Sequence, residues 1–246
     1  MTRLSWITGI LTCLMVLLAA LGSVCGAIDQ IAADENFYGG MSRAAVAKYL
    51  GVAEDEQSVT AQYIGLSPDE QDVFAREMAA FMAGETDAQP EMLNEKERQH
   101  MLDVRGLTQT AANMSKSCMS LAVALAVVIA WTGAKIKRRF LPQLTGGLCA
   151  VSIIVLLAVG VMHQVSAGAF ETLFVKMHEM LFTNDLWLMN PAEDILIRMM
   201  PQPLFEQALA TGANQALRML AIVLLMLLAI HCIVERMIRS HVAKGE

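Results

Sequence analysis

Ser117–Arg139, "SCMSLAVALAVVIAWTGAKIKRR", joins eighteen residues free of acid or base to five that carry four positive charges. An apolar run of about this length crosses a bilayer as a helix, and a cluster of Lys and Arg at its end marks the cytoplasmic side. Three more runs lie outward from it: Trp6–Ala27, Gly146–Met162 and Ala213–Val234. Arg3 precedes the first, and Arg236, Arg239 and Lys244 follow the last. With Lys135, Lys137, Arg138 and Arg139, all of these fall on one side of a four-span arrangement.

The intervening segments have the opposite character. Residues 28–114 carry sixteen acidic and six basic side chains, and 164–212 carry six and two. Both termini are therefore expected in the cytoplasm and both acidic segments outside a plasma membrane crossed several times. The expected organisation is a first span (6–27), an outer cap (28–114), a second span (117–134), a basic cytoplasmic loop (135–145), a third span (146–162), an outer loop with a helix (163–212), a fourth span (213–234) and a cytoplasmic tail (235–246). The fold class is an all-α membrane protein with a mainly helical extracytoplasmic cap. At 55% hydrophobic and 17% charged, the 246-residue chain is too poor in charge for an ordinary soluble protein. A net charge of −6 argues against nucleic acid as a partner. The first span reads as a retained anchor, because its apolar run is long for a cleaved signal, and bulky Val24 before Cys25 fits the lipoprotein cleavage pattern poorly. The five cysteines lie in or beside spans, with no CxxC and no metal-ligand spacing, and read as small apolar helix residues.

Helix signals fill the outer segments. Ser67, Pro68 and Glu70 open a helix as a capping box with proline at its first position, and Gly84 closes it. Val73, Phe74, Met78, Phe81 and Met82 recur there at helical spacing. Asn94 and Glu97 form a second capping box. Ser42 is expected to cap a helix that Gly51 stops, and Ser58–Leu66 to be extended. Asn190 and Pro191 open a further helix, with Glu193 and Asp194 in its first turn and an end near Pro201.

Five histidines are present: His100, His163, His178, His231 and His241. Two stand in polar surroundings of the outer segments, His100 in "NEKERQHMLDVRG" and His178 in "MHEMLFTNDLWLMNPAEDILIRMMP". A neutral imidazole takes and returns a proton near neutral pH. Glu97 and Asp103 share a helical face with His100, and either carboxylate is placed to orient the ring. Arg105, Asn184 and Asp185 are candidates to stabilise an oxyanion or orient an imidazole. Trp187 suits the membrane interface. Lys116 and Arg218, at the outer ends of spans, meet lipid phosphate or snorkel.

"ERQHMLDVRG" and "HEMLFTNDLWLMNPAEDILIRMMPQPLF", together with the "GLSPDEQDVFAREMAAFMAGE" stretch, resemble the Lit lipoprotein intramolecular transacylases, four-span membrane proteins of Gram-positive bacteria. The resemblance covers nearly the whole chain apart from diagnostic residues in 28–60. It implies an acyltransferase, free of cofactor, that acts on diacylglyceryl-modified lipoproteins in the outer leaflet. It moves the sn-2 acyl chain to the α-amine of the N-terminal cysteine and yields the lyso-form. It also implies that His100 and His178 are the catalytic pair, by acid/base chemistry or through a transient acyl-histidine. Two rival readings stand beside it: a metallohydrolase with His100, His178, Asp103 and Asp185 around zinc, though no zinc motif appears, and a non-catalytic membrane scaffold, binding protein or transporter subunit.

Overall fold

The structure, a computed structural model, describes residues 3–136 and 167–243. Among these residues every regular element is a helix: α1 (Arg3–Ala32), α2 (Glu35–Tyr38), α3 (Gly40–Leu50), α4 (Gln57–Ile64), α5 (Pro68–Ala83), α6 (Glu95–Ile136), α7 (Ala167–Leu181), α8 (Ile195–Met199) and α9 (Gln202–Ala243). Among the described residues two segments, Ile7–Ala32 and Glu95–Thr132, are long and apolar enough to cross a membrane, with mean hydropathies of 2.3 and 1.7. The expected third span and His163 lie outside the described residues. The expected fourth falls on α9, which is helical throughout.

The chain divides into two compact units. Among the described residues one takes 3–26, 113–136 and 213–243, and the other 27–112 and 167–212. In the first, Met15, Val16 and Ala19 of α1 form a core with Ala122 and Ile129 of α6. Polar groups in these apolar helices close on nearby carbonyls: Thr12 Oγ1 donates to Thr8 O at 2.9 Å and Ser23 Oγ to Ala19 O at 2.7 Å. Gly22 and Gly26, four residues apart, let α1 and α6 approach. A Cβ at Gly22 would lie 3.1 Å from the Met119 side chain, and one at Gly26 would lie 2.9 Å from Ser115 Oγ. Ser115 Oγ donates across this gap to Gly22 O at 2.7 Å. Small residues spaced by four are the usual means of close helix contact in an apolar setting.

The second unit is built around buried Phe74, Met78, Phe81 and Met82 of α5, packed with Phe37, Tyr38, Val46, Ile64, Met101, Leu196, Met199 and Leu204. Its α5 starts with the full Ser67–Glu70 capping box and stops at Gly84, whose φ of 78° needs no Cβ. Val73 is exposed, and Gln71 takes the inward position, its Nε2 donating to Leu66 O at 3.0 Å.

Three local expectations are corrected. Residues 58–66 are not extended: α4 occupies most of them, because Thr60 and Ile64, one turn apart, bury into the core, and burial outweighs the β-branched preference. Ser42 does not cap α3. The helix begins three residues earlier than such a cap would set it, with Gly39 at its cap, and the Ser42 hydroxyl is buried, donating to Met199 O. Asn190 caps only a turn: its side chain accepts from Ala192 N at 3.1 Å, the chain breaks at Asp194, and α8 starts afresh.

Candidate active site

The site lies in the second unit and starts from the first turn of α6. Asn94 Oδ1 accepts from Glu97 N at 3.0 Å, and Glu97 Oε2 accepts from Asn94 N at 2.8 Å, so the expected capping box forms. Glu97 is 1% exposed, and its second oxygen accepts from Leu196 N, the first turn of α8, at 2.6 Å. Both carboxylate oxygens thus join backbone to backbone. A second carboxylate repeats the pattern. Asp194 accepts from Asn94 Nδ2 at 2.8 Å, Asn190 N at 2.6 Å and Lys96 Nζ at 3.2 Å. Burial pushes its carboxyl upward, but the Asn190 N–H, the Asn94 amide and Lys96 together hold it below the ordinary range. This knot locks the His100 segment to the chain that follows His178.

One turn beyond Glu97, His100 is buried, at 6% exposure, and faces His178, at 8%, from α7. Their ring centroids are 6.2 Å apart with planes inclined by 29°. Aromatic rings enclose the pair. Phe182 lies 5.0 Å from His100 and 5.4 Å from His178, Phe174 4.1 Å from His178, and Trp187 5.1 Å from it. His178 Nδ1 sits 2.8 Å from Phe174 O. A carbonyl only accepts, so this bond places the proton on Nδ1 and leaves Nε2 as the basic nitrogen. His100 Nδ1 is buried without a partner. Burial, reinforced by His178 and offset in part by Asp103, lowers the His100 pKa to about 4, so its ring is neutral at neutral pH.

The other candidates are placed as follows. Asp103 Oδ2 accepts from Asn184 Nδ2 at 2.9 Å, tying α6 to the loop after α7. Arg105 extends its guanidinium over Phe81, 4.6 Å from the ring centre, and donates to Asp87 at 3.0 Å; its Nε is buried and unpartnered. Asp185 is exposed, and its carbonyl closes a turn with Leu188 N at 3.1 Å. Lys116 and Arg218 are exposed and belong to the other unit. Among the described residues no three His, Cys, Asp or Glu converge as a metal ion requires.

The family model for the lipoprotein intramolecular transacylase Lit matches residues 11–205. The chain belongs to that family. Its activity is therefore that of an acyltransferase. No curated protein matches the chain. Solved structures of the membrane integral lipoprotein intramolecular transacylase Lit from Bacillus cereus share the fold. One aligns with a TM-score of 0.59 at 18% identity, covering 95% of this chain and 98% of the other. A variant with one histidine replaced by arginine gives 0.63 at 16%, covering 94% and 96%. One with histidine replaced by alanine gives 0.61 at 15%, covering 96% and 95%.

The two histidines singled out in the sequence of this Lit family member come together in the structure, but their aromatic enclosure was not expected. Phe174, His178 and Phe182 recur every four residues, so the spacing held the signal. The Asp194 knot had a weaker one: its partners Asn94 and Lys96 lie about a hundred residues away along the chain.

Proposed function

We propose that the protein transfers the sn-2 acyl chain of a diacylglyceryl lipoprotein to the α-amine of its N-terminal cysteine, with His178 as the proton-transfer group and neutral His100 as its partner. The observation that carries this reading is the enclosed imidazole pair with the His178 tautomer set by Phe174 O. An α-amine is largely protonated near neutral pH and must lose a proton to attack an ester. Once water has taken the extra proton of the ammonium, the neutral amine nitrogen bonds to the ester carbonyl carbon, His178 Nε2 takes one of its two remaining protons, the C–O bond to the glycerol sn-2 oxygen breaks, and the protonated ring returns that proton to the sn-2 oxygen. Atoms and charge balance without a cofactor. His100, kept neutral by its surroundings, does not compete for the proton. Its unpartnered nitrogen supports a role as a hydrogen-bond donor toward the oxyanion. Holding amine and ester of one molecule in a single productive conformer removes much of the entropic barrier.

Arg105 and Asn184 pair with Asp87 and Asp103, whereas His100 faces His178 directly, which favours His100 over either as the oxyanion donor. In this reading the chain crosses the plasma membrane four times with both termini cytoplasmic, and the second unit faces outward, where the substrate's glycerol ester lies. Expression in a host lacking lipoprotein N-acylation, followed by mass spectrometry of lipoprotein N-terminal peptides, tests it. Lyso-form peptides are expected from the native chain and none from His178→Ala or His100→Ala present at equal level in the membrane. Unchanged lyso-form in both variants overturns the assignment.

A further inference from the structure

Helix α7 carries His178 on one face and an uncovered apolar stripe on another. Leu173, Met177 and Met180 are 53%, 41% and 78% exposed. At about 100° per residue they fall within roughly 60° of the helix circumference. Leu181 extends the stripe on one side, and Leu188 in the loop beyond is also exposed. The charges of α7 are sorted around it. Lys176 lies about 40° from Met180, whereas Glu171 and Glu179 are about 100° or more from the stripe. A lysine flanking an apolar stripe, with acids turned away, complements an anionic phospholipid surface, with the stem on the acyl boundary and the ammonium among phosphates. Half-buried Trp187, beside His178, adds a side chain suited to the same depth.

We infer that α7 is an interfacial helix, lying in the outer phospholipid surface with Leu173, Met177 and Met180 immersed, and that this sets the depth at which His178 works. The inference rests on the acyl-transfer reading for what happens at that depth, and on the stripe alone for the immersion. His178 lies about 100° around the helix from Met177, on the flank. A helix immersed by its stripe therefore holds the imidazole near the glycerol region, above the hydrocarbon, where an sn-2 ester sits.

Nitroxides attached at Leu173→Cys, Met180→Cys and Glu171→Cys test this, in the full chain with its five native cysteines replaced, in nanodiscs of anionic phospholipid without lipoprotein. Collision with oxygen should exceed collision with a water-soluble nickel chelate at 173 and 180, and the order should reverse at 171. Nickel access at 180 overturns the inference, as does shielding from both reagents there, which would mean a second copy or another protein surface covers the stripe. If the cysteine-free chain does not fold, Met180→Glu in the native chain serves instead. It should reduce transacylation several-fold in liposomes and leave it unchanged in detergent micelles; equal activity in both media overturns the inference. A chain with the expected depth pattern but no lyso-form product keeps the interfacial helix and sinks the transacylase reading. Active protein with water-exposed labels does the reverse.

Discussion

Glu97 is the position where a catalytic and a structural role give opposite results. Its carboxylate is the acceptor for two backbone N–H groups from distant parts of the chain, Asn94 N at 2.8 Å and Leu196 N at 2.6 Å. Glu97→Ala leaves both donors without an acceptor, that of Leu196 in a buried setting. Each such loss costs about 1–3 kcal/mol, so the variant should lose roughly 2–6 kcal/mol from the second unit. Near 1 kcal/mol per 3 °C for a unit of this size, its melting temperature should fall by on the order of 10 °C. Glu97→Gln retains one acceptor oxygen but turns an amide N–H₂ toward the other donor, and should lose about half as much. The assay is thermal unfolding of the purified full chain in detergent, paired with lyso-form production at low temperature, where the weakened unit is still folded. Activity should recover there, because the knot positions the His100 and His178 segments without touching substrate. A melting temperature for Glu97→Ala within about 1 °C of the native value, with activity lost at every temperature, would refute this and restore an orienting role for the carboxylate toward His100.

Three further outcomes follow from the geometry. The His100 pKa of about 4 lies below the ordinary histidine value, so the unfolded chain takes up the proton first and the ring's contribution to stability, full above about pH 6.5, is lost as pH falls toward 4. His100→Phe should therefore flatten the fall in melting temperature between pH 6.5 and 5; an unchanged slope would show that His100 titrates normally. In His178→Phe the His100 pKa should rise, since His178 helps to lower it, yet stay below 6.5 because burial is the larger cause; NMR titration of labelled histidine reads this, and a fall instead of a rise sinks the pairing. Gly26→Val forces a branched side chain into the 2.9 Å approach to Ser115 and should destabilise the α1–α6 contact by about 1–3 kcal/mol, while Gly9→Val, with open space around it, should be near neutral in thermal unfolding.

How much of this was legible in the sequence depends on the range of the interaction. Capping is local, so Ser67–Glu70 and Asn94–Glu97 could be read from spacing of three residues, and both form. The αL stop at Gly84 was legible for the same reason. Ser58–Leu66 was misread because its β-branched residues favour a strand in isolation, and only the core decides that Thr60 and Ile64 turn inward together. Ser42 was misread as a cap because its acceptor, Met199 O, comes from α8 at the far end of the chain. The two histidines were found from residue type and polar context, but their enclosure by aromatic rings depends on α6 and α7 packing together. Glu97 shows the limit most clearly: its spacing from His100 suits a catalytic partner, while its second oxygen is claimed by Leu196, ninety-nine residues away.

The arrangement of polar groups around the histidines separates rigidity from chemistry. Glu97, Asp194, Asn94 and Lys96 saturate one another and the backbone, so they hold two distant segments in register without presenting free charge to a substrate. The imidazoles keep unmet capacity, as does Arg105 Nε: His100 has an unpartnered nitrogen, and His178 has a tautomer set by a backbone carbonyl rather than by a carboxylate. A carboxylate on His178 would stabilise the imidazolium and hold the proton there. A carbonyl fixes orientation with less pull on the proton, which suits a group that must return it to the sn-2 oxygen within the same turnover. Replacing Phe174 leaves the carbonyl in place and removes only the ring packed 4.1 Å from His178. Phe174→Leu should therefore reduce lyso-form production less than His178→Ala, and Phe174→Pro, which breaks α7 at that turn, should match the histidine deletion. Equal loss in Phe174→Leu and His178→Ala, in chains with native melting temperatures, would mean that the ring and not the carbonyl governs the imidazole.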